Sequence, residues 1–448
     1  MLRVFIKNIQ LMVGLINQSC NIIVPFVVTF ASLKILPQEQ GSIWLMFLSM
    51  VILVSLFDFG LSPTIIRNVS YVIAGAQHLS KNNLDKIEFS DAVSYSLLGR
   101  LISDIKVIYK KLTFLAILVI TIFGGCYFLI VTPKDILLET ITSWMIFSTG
   151  LLLSLYYLYY TPVLSGLGEI QYANLSNIYG RLSWLIFSLL CIPVGLNLIN
   201  LSVSFLLSVI VARVSCLYFY NRNNYTKEIK KVKPAEESTI PYISGSAIKL
   251  GLATAGNVII NRAPIIIAGI AFSLNIAGEF TLTMQIFLAI ISVSNVYLAV
   301  KIPRLSQLVI KKERREIKKI VIRIIFISIL LYFGGVIAFA LSSDFIIKIT
   351  GAKVGFLDTK YILLLGAILL LDLNHNICAS ILTASNKIPF VIPVIASGVL
   401  IAIAGWLFSV VFNMGVLGLI LAQGIIQLSY NNWRWPLMVY QDYIRKEC

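Results

Sequence analysis

The sequence predicts an all-α polytopic membrane protein: about twelve transmembrane helices in two parallel-repeat six-helix lobes around a central cavity. Three observations lead there. The 448 residues are 58% hydrophobic and only 12% charged, with a mean hydropathy of +0.90, so a hydrated exterior for a soluble domain of this size is missing. Apolar stretches of roughly 20 residues, the length a bilayer helix needs, recur with little chain between them. The net charge of +16 sits in the short connections between those stretches and not in a folded basic domain, which argues for membrane topology and against nucleic-acid binding.

The predicted spans are 9–31, 43–61, 112–131, 138–160, 174–195, 199–219, 247–271, 277–299, 321–341, 360–384, 388–411 and 416–437. The first follows Arg3 and Lys7 as a signal peptide would. Asn17, Gln18, Asn21 and Pro25 interrupt its apolar run, however, and no small-residue cleavage site follows, so it reads as an uncleaved helix. Gly195-Leu196-Asn197 and Asn413-Met414-Gly415 mark tight hairpins. The segment 64–111 is too polar to span and reads as one or two amphipathic helices on the inner membrane surface. The run from Lys311 to Lys319 reads as a solvated helix touching anionic headgroups. Segment 222–241, rich in Lys, Glu and Pro, reads as part of a linker. The expected organisation is therefore an N-terminal lobe over 1–220, a cytoplasmic linker over 221–246 and a C-terminal lobe over 247–448.

Orientation follows from the basic residues. With both termini inside, the stretches 62–111, 220–246 and 301–320 place most Lys and Arg on the cytoplasmic side. The outside loops keep only Lys34, Lys134, Lys348, Lys353 and Lys360. Cys20, Cys126, Cys191, Cys216, Cys378 and Cys448 fall mostly within spans, with no C-x-x-C spacing, and neither a disulfide nor a metal site is expected.

The two halves repeat at a constant offset of 237. Gly14 pairs with Gly251, Gly41 with Gly278, Ser55 with Ser292, Asp58 with Asn295, Leu61 with Leu298 and Arg67 with Arg304. Farther on, the segment from Leu164 to Ile170 aligns with that from Leu382 to Ile388 at an offset of 218. The 19 residues lost match the longer inside loop of the first half. Both halves begin inside, which makes the repeats parallel and puts a transport pathway between two rocking lobes.

Asp58-Phe59-Gly60-Leu61 followed by Arg67 resembles the signature that ends the second span of polysaccharide flippases. Ile302-Pro303-Arg304-Leu305-Ser306-Gln307-Leu308 is similar to a Pro-Arg-Leu-Ser element of the same family. The Gly166-Leu167-Gly168 and Asn386-Lys387-Ile388-Pro389 turns resemble its inside loops. These flippases, the Wzx type, belong to the multidrug/oligosaccharidyl-lipid/polysaccharide exporter (MOP) superfamily, and the resemblance covers essentially the whole chain. It implies translocation of an undecaprenyl-diphosphate-linked oligosaccharide, an O-antigen or other surface-polysaccharide unit. The carrier would work in the bacterial cytoplasmic membrane, beside membrane lipids and the polysaccharide polymerase machinery. No cofactor and no covalent catalysis are implied, and a proton or sodium gradient is the candidate drive. The multidrug branch is less similar, since residues 9–31 hold no carboxylate.

Ionisable residues inside spans are expensive and are the first functional candidates. Arg262 is the sharpest, deep in the seventh span among Asn257, Asn261 and Pro264, with Pro264 expected to break the helical ladder. Asn17, Asn21 and Pro25 occupy a comparable depth in the first span. An Arg can grip a diphosphate bidentately, or it can pair with an internal carboxylate and fix packing. Asp372, His375 and Asn376 share a face of the tenth span, where Asp372 is a candidate counter-charge to Arg262. His375 is either a proton coupler or a satisfied core histidine. Arg181, on a stripe with Asn174 and Asn177, either snorkels to headgroups or meets the diphosphate. Asp58, Arg67 and Arg304, near the inner surface, form either a salt-bridged gate or helix ends and topology signals. His78 carries no specific expectation, and the aromatic run Tyr156 to Tyr160 falls where an interfacial belt is expected.

Three other readings have less behind them. A membrane polysaccharide polymerase needs a large outside loop, and the longest here, 342–359, is short. A major-facilitator exporter needs its Gly-x-x-x-Asp-Arg-x-Gly-Arg loop, which is missing. A channel needs a re-entrant filter, and none is recognisable.

Overall fold

The computed structural model describes residues 2–79, 90, 92–311, 313–384 and 389–445. The described residues are helical throughout their apolar stretches, as a bilayer demands of any backbone without internal partners. Among the described residues ten helices are long and apolar enough to cross a membrane, and the chain is a multi-pass membrane protein. Large apolar side chains such as Phe114, Leu138 and Leu341 are exposed along them, as lipid-facing surfaces require.

The chain forms two compact units. The first comprises residues 1–36 and 50–254, the second 37–49 and 255–448. This partition differs from the expected one: 37–49 joins the second unit, and the predicted linker 221–246, with residues 247–254 of the expected C-terminal lobe, folds with the first.

In the first unit, α1 (Leu2–Ile35) packs against α9 (Ile170–Leu190), and α9 against α10 (Leu198–Arg222). The helix α10 also packs on α7 (Leu137–Tyr156), around the ring stack Trp144, Phe147 and Phe205. The segment expected to lie on the membrane surface instead starts a longer helix. The helix α5 (Tyr95–Ala116) buries Leu98, Leu101 and Ile105 on one face and continues through a π-turn, Ile117–Phe123, into α6 (Gly124–Val131). That face explains the amphipathic pattern: it packs on protein. The helix α11 (Asn224–Ile229) follows α10, and the linker beyond it docks on α5. There the Ala235 amide donates to the Ser96 carbonyl (3.0 Å), and the Thr239 amide donates to Asp104 Oδ2 (2.6 Å).

The second unit contains α12 (Ile240–Ala271) from residue 255, α13 (Leu274–Ser294), α14 (Val296–Lys311), α15 (Arg314–Thr350) and α16 (Thr359–Ala384). It closes with α17 (Val391–Trp406), α18 (Val416–Ser429) and α19 (Asn431–Val439). The exposed charges Arg314, Arg315 and Glu316 are the first turn of α15 and not a separate helix, whereas Lys312 lies outside the described residues. At its other end α15 reaches Thr350, so the predicted outside loop shrinks to 351–358.

Two predicted spans are not among the ten apolar ones, each for a physical reason. The fifth, α9, is too polar. The twelfth breaks at Tyr430, between α18 and α19. Another expectation fails as well: α1 and α12 run unbroken through Pro25 and Pro264. A helix tolerates the lost bond where its surroundings compensate. The repeat, by contrast, is visible in the element boundaries. Helix α10 starts at 198 and α18 at 416, again an offset of 218, and the breaks after Asp58 and at Asn295 differ by 237.

The repeat-paired glycine Gly278 marks a close approach within the second unit. A Cβ there would lie 2.7 Å from the Ser42 Cβ and nearer still to its hydroxyl. Ser42 is fully buried on α2 (Gln38–Met50). Gly278→Ala should therefore cost about 1–3 kcal/mol by overpacking, read as a lower melting temperature of the purified protein. Adding Ser42→Gly should restore part of the loss. An unchanged melting temperature in Gly278→Ala would contradict the contact.

Candidate functional site

The motif at 58–61 forms a break between two helices. The helix α3 (Ile52–Asp58) ends and α4 (Leu61–Ile73) begins across Phe59 and Gly60, at φ 47° and 64°. A glycine supplies that backbone without strain, and Phe59 is held there by its surroundings. Asp58 caps α4, accepting from the Ser62 amide (3.3 Å) and hydroxyl (3.0 Å), and it also accepts from the Tyr109 hydroxyl. Arg67 and Arg304 are exposed, and among the described residues no ion pair engages either. Asp58 is spent on capping α4. The turn residues 385–388 lie outside the described residues, and the side chains of Pro303, Ser306 and Gln307 are likewise not described. The Gly166-Leu167-Gly168 turn is described: the Ser70 hydroxyl of α4 donates to the Gly166 carbonyl (3.2 Å), and Gly168 has φ 86°.

In the first unit, two polar stripes predicted separately meet. Arg181 Nε donates to Asn21 Oδ1 (3.0 Å), Asn21 to Asn17 (3.4 Å), and Asn17 to Asn174 (3.1 Å). Toward the helix ends Gln10 donates to Gln171 (2.9 Å) and Gln171 to Glu169 (2.7 Å). The seam explains why α9 is so polar: its hydrophilic face is spent on α1. Arg181 lies over the Trp184 ring, 5.9 Å from its centroid, and so faces the interior of the unit instead of snorkelling.

Arg181, Asn21 and Asn177 line a cavity of 220 Å³ together with Arg213 of α10. Arg213 donates to the Ser154 (2.8 Å) and Thr161 (3.3 Å) hydroxyls, while its Nε is buried without a hydrogen-bond partner. Among the described residues no ion pair engages Arg181 or Arg213. The predicted aromatic belt is partly internal here. Tyr159 is buried, and its ring lies 5.8 Å from that of Tyr109 and 4.2 Å from that of Tyr160.

In the second unit, Arg262 sits in mid-helix with Asn257 and Asn261, and the Asn261 amide donates back to the Asn257 carbonyl (2.8 Å). The Arg262 Nε and Nη1 are buried without a hydrogen-bond partner among the described residues. Asp372 does not neutralise it. No ion pair joins the two among the described residues, because Asp372 is turned into a network inside the unit. It accepts from Gln423 (3.0 Å) and lies 3.7 Å from His375, whose Nδ1 pairs with Asn432 (2.6 Å). Asn376 instead donates to the Asp372 backbone carbonyl (2.8 Å). The adjoining Asn431 donates to Ser397 and Gln427 (both 2.8 Å), and Trp435 donates to Asn431 (3.2 Å). These side-chain bonds flank the helix break at Tyr430, where the Tyr430 amide donates to the Gln427 carbonyl (3.4 Å). His78 is exposed and far from these clusters in the sequence.

Against known proteins, no family model matches the chain, and neither does any curated protein. Solved structures do match. A multidrug resistance MATE family transporter of the MOP superfamily, in an inward-facing conformation, aligns with a TM-score of 0.75 at 12% identity. That alignment covers 95% of this chain and 96% of that one. The fold is that of the MOP-superfamily transporters. The lipid II flippase MurJ, in an inward closed conformation, aligns with a TM-score of 0.66 at 12% identity over 98% of this chain and 87% of its own. A MOP superfamily transporter from Pyrococcus furiosus, described as having a binding pocket of reversed polarity, gives 0.60 at 13% identity over 97% and 95%.

Sequence reading missed Arg213, Tyr109 and the Gln423–Asn432 network. Signals for two of them were present. Arg213 is an arginine inside the predicted span 199–219. Gln423, Gln427 and Asn431 recur at four-residue spacing in an apolar span, one polar face of a helix. Tyr109 carried no local signal, since only the fold brings it to Asp58.

Proposed function

We propose that the protein is a flippase carrying an undecaprenyl-diphosphate-linked oligosaccharide, an O-antigen or other surface-polysaccharide unit, across the bacterial cytoplasmic membrane by alternating access. The observation that carries this reading is Arg262, a guanidinium in mid-span whose buried Nε and Nη1 lack partners among the described residues. A charge at such depth costs several kcal/mol, and a diphosphate is the bidentate acceptor that offsets it. Asn257 and Asn261 add amide groups for sugar hydroxyls. The fold shared with the lipid II flippase MurJ is consistent with a lipid-linked substrate. Both termini are proposed to be cytoplasmic, with membrane lipids and a polysaccharide polymerase as neighbours.

Export of small molecules is the second reading, favoured by the TM-score of 0.75 to a multidrug transporter. The two differ in charge: guanidiniums without acidic partners repel an organic cation and attract a phosphate. Expression in cells lacking their own flippase separates them. Restored surface polysaccharide is the expected result, and drug resistance without polysaccharide is the contrary one. His375 is the proposed proton coupler. Transport by His375→Ala that no longer responds to an imposed pH gradient is the expected outcome, and an unchanged response removes the residue from that role.

A further inference from the structure

The first unit holds two guanidiniums facing one cavity, and nothing described there balances them. Arg181 of α9 and Arg213 of α10 both line the 220 Å³ space. The hydrogen bonds they make go to neutral groups: Asn21 for Arg181, Ser154 and Thr161 for Arg213. Neutral oxygens orient a guanidinium without cancelling its charge. Asp58 acts at second hand, since it binds the Tyr109 hydroxyl and Tyr109 lies within electrostatic range of Arg213. One carboxylate reached through a phenol leaves an excess of positive charge in a membrane-embedded space. Buried charges are paired, and among the described residues no ion pair supplies the partner.

We infer that this cavity is an anion site, independent of Arg262, that takes a compact acidic group. It goes beyond the flippase reading and stands without it. The space exceeds the roughly 150 Å³ of an apolar cavity that admits benzene, so it accommodates a six-membered ring as well as a small ion. Arg213 offers a free buried Nε, and Arg181 is held by Asn21 with Trp184 beneath it. A carboxylate or a phosphate-like oxyanion suits such donors, since charge-assisted bonds to guanidinium are the strong ones. The group is supplied either by a free inorganic oxyanion or by an acidic sugar of a larger substrate.

Trp184 provides the readout, because its ring lies under the guanidinium that the anion would engage. The purified full-length protein is titrated with sodium sulfate, sodium glucuronate and neutral glucose at constant ionic strength, with tryptophan emission recorded. The expected result is a saturable emission change with an anion and none with glucose. Response to sulfate and glucuronate alike assigns a free oxyanion, and response to glucuronate alone assigns an acidic sugar. Trp184→Phe should abolish the signal, Arg213→Gln should weaken binding about tenfold or more, and Arg213→Lys should weaken it less. Arg262→Gln should leave it unchanged, which separates this site from the proposed substrate contact. Failure of both anions to change the wild-type emission overturns the inference, whatever the variants do. So does an undiminished response in a folded Arg181→Gln, Arg213→Gln double variant.

Discussion

Arg262→Ala, produced at the wild-type level in cells that depend on this protein for surface polysaccharide, is expected to reduce the product at least tenfold. Arg262→Lys is expected to keep part of it. The magnitude follows from the bonds at stake. A guanidinium with two free buried nitrogens can make a bidentate, charge-assisted contact, and each such bond is worth about 1.5–3 kcal/mol. Lysine keeps the charge but not the fork, so it should fall between. Removing an unpaired buried charge should not lower stability, and Arg262→Ala should melt at or above the wild-type temperature. An inactive variant that is also unfolded would return Arg262 to a packing role. Wild-type product in both variants would remove it from the site.

Asp372→Ala is expected to act in the opposite way, on the fold. Its carboxylate receives the Gln423 amide and stands beside His375, all of it buried within the second unit. Truncation leaves the buried Gln423 amide without that acceptor and should cost about 1–3 kcal/mol, seen as a lower melting temperature and less protein in the membrane. Asp372→Asn keeps an acceptor of the same shape and should lose much less. If Asp372→Ala melts like the wild type, the network is not what holds α16, α18 and α19 together.

The contrast between these two residues shows what the linear chain made legible. Composition and the basic loops are local sums, and they were sufficient for the helical membrane architecture. The repeat was readable because duplicated helices keep their lengths: Asp58 and Asn295, matched by sequence alone, both stand at helix breaks. Partners were not readable. Arg262 and Asp372 looked complementary because they carry opposite charges at mid-span, yet Asp372 meets Gln423, which only packing decides. Likewise α1 and α9 carry polar stripes that look like two separate features until Asn17 is seen to bond Asn174. Arg213 was hidden by its position, since an arginine near the end of a span resembles a topology signal. The second helix shows the same limit at a larger scale: residues 37–49 belong to the second unit although they are contiguous with the first.

The flippase reading meets its most direct test in proteoliposomes carrying the purified protein and a fluorescent undecaprenyl-diphosphate-linked oligosaccharide. A membrane-impermeant reagent then reads how much substrate crosses from one leaflet to the other. Protein-dependent crossing that is lost in Arg262→Ala is the predicted result. No crossing by the wild type, in vesicles where the same preparation transports an organic cation, would contradict it.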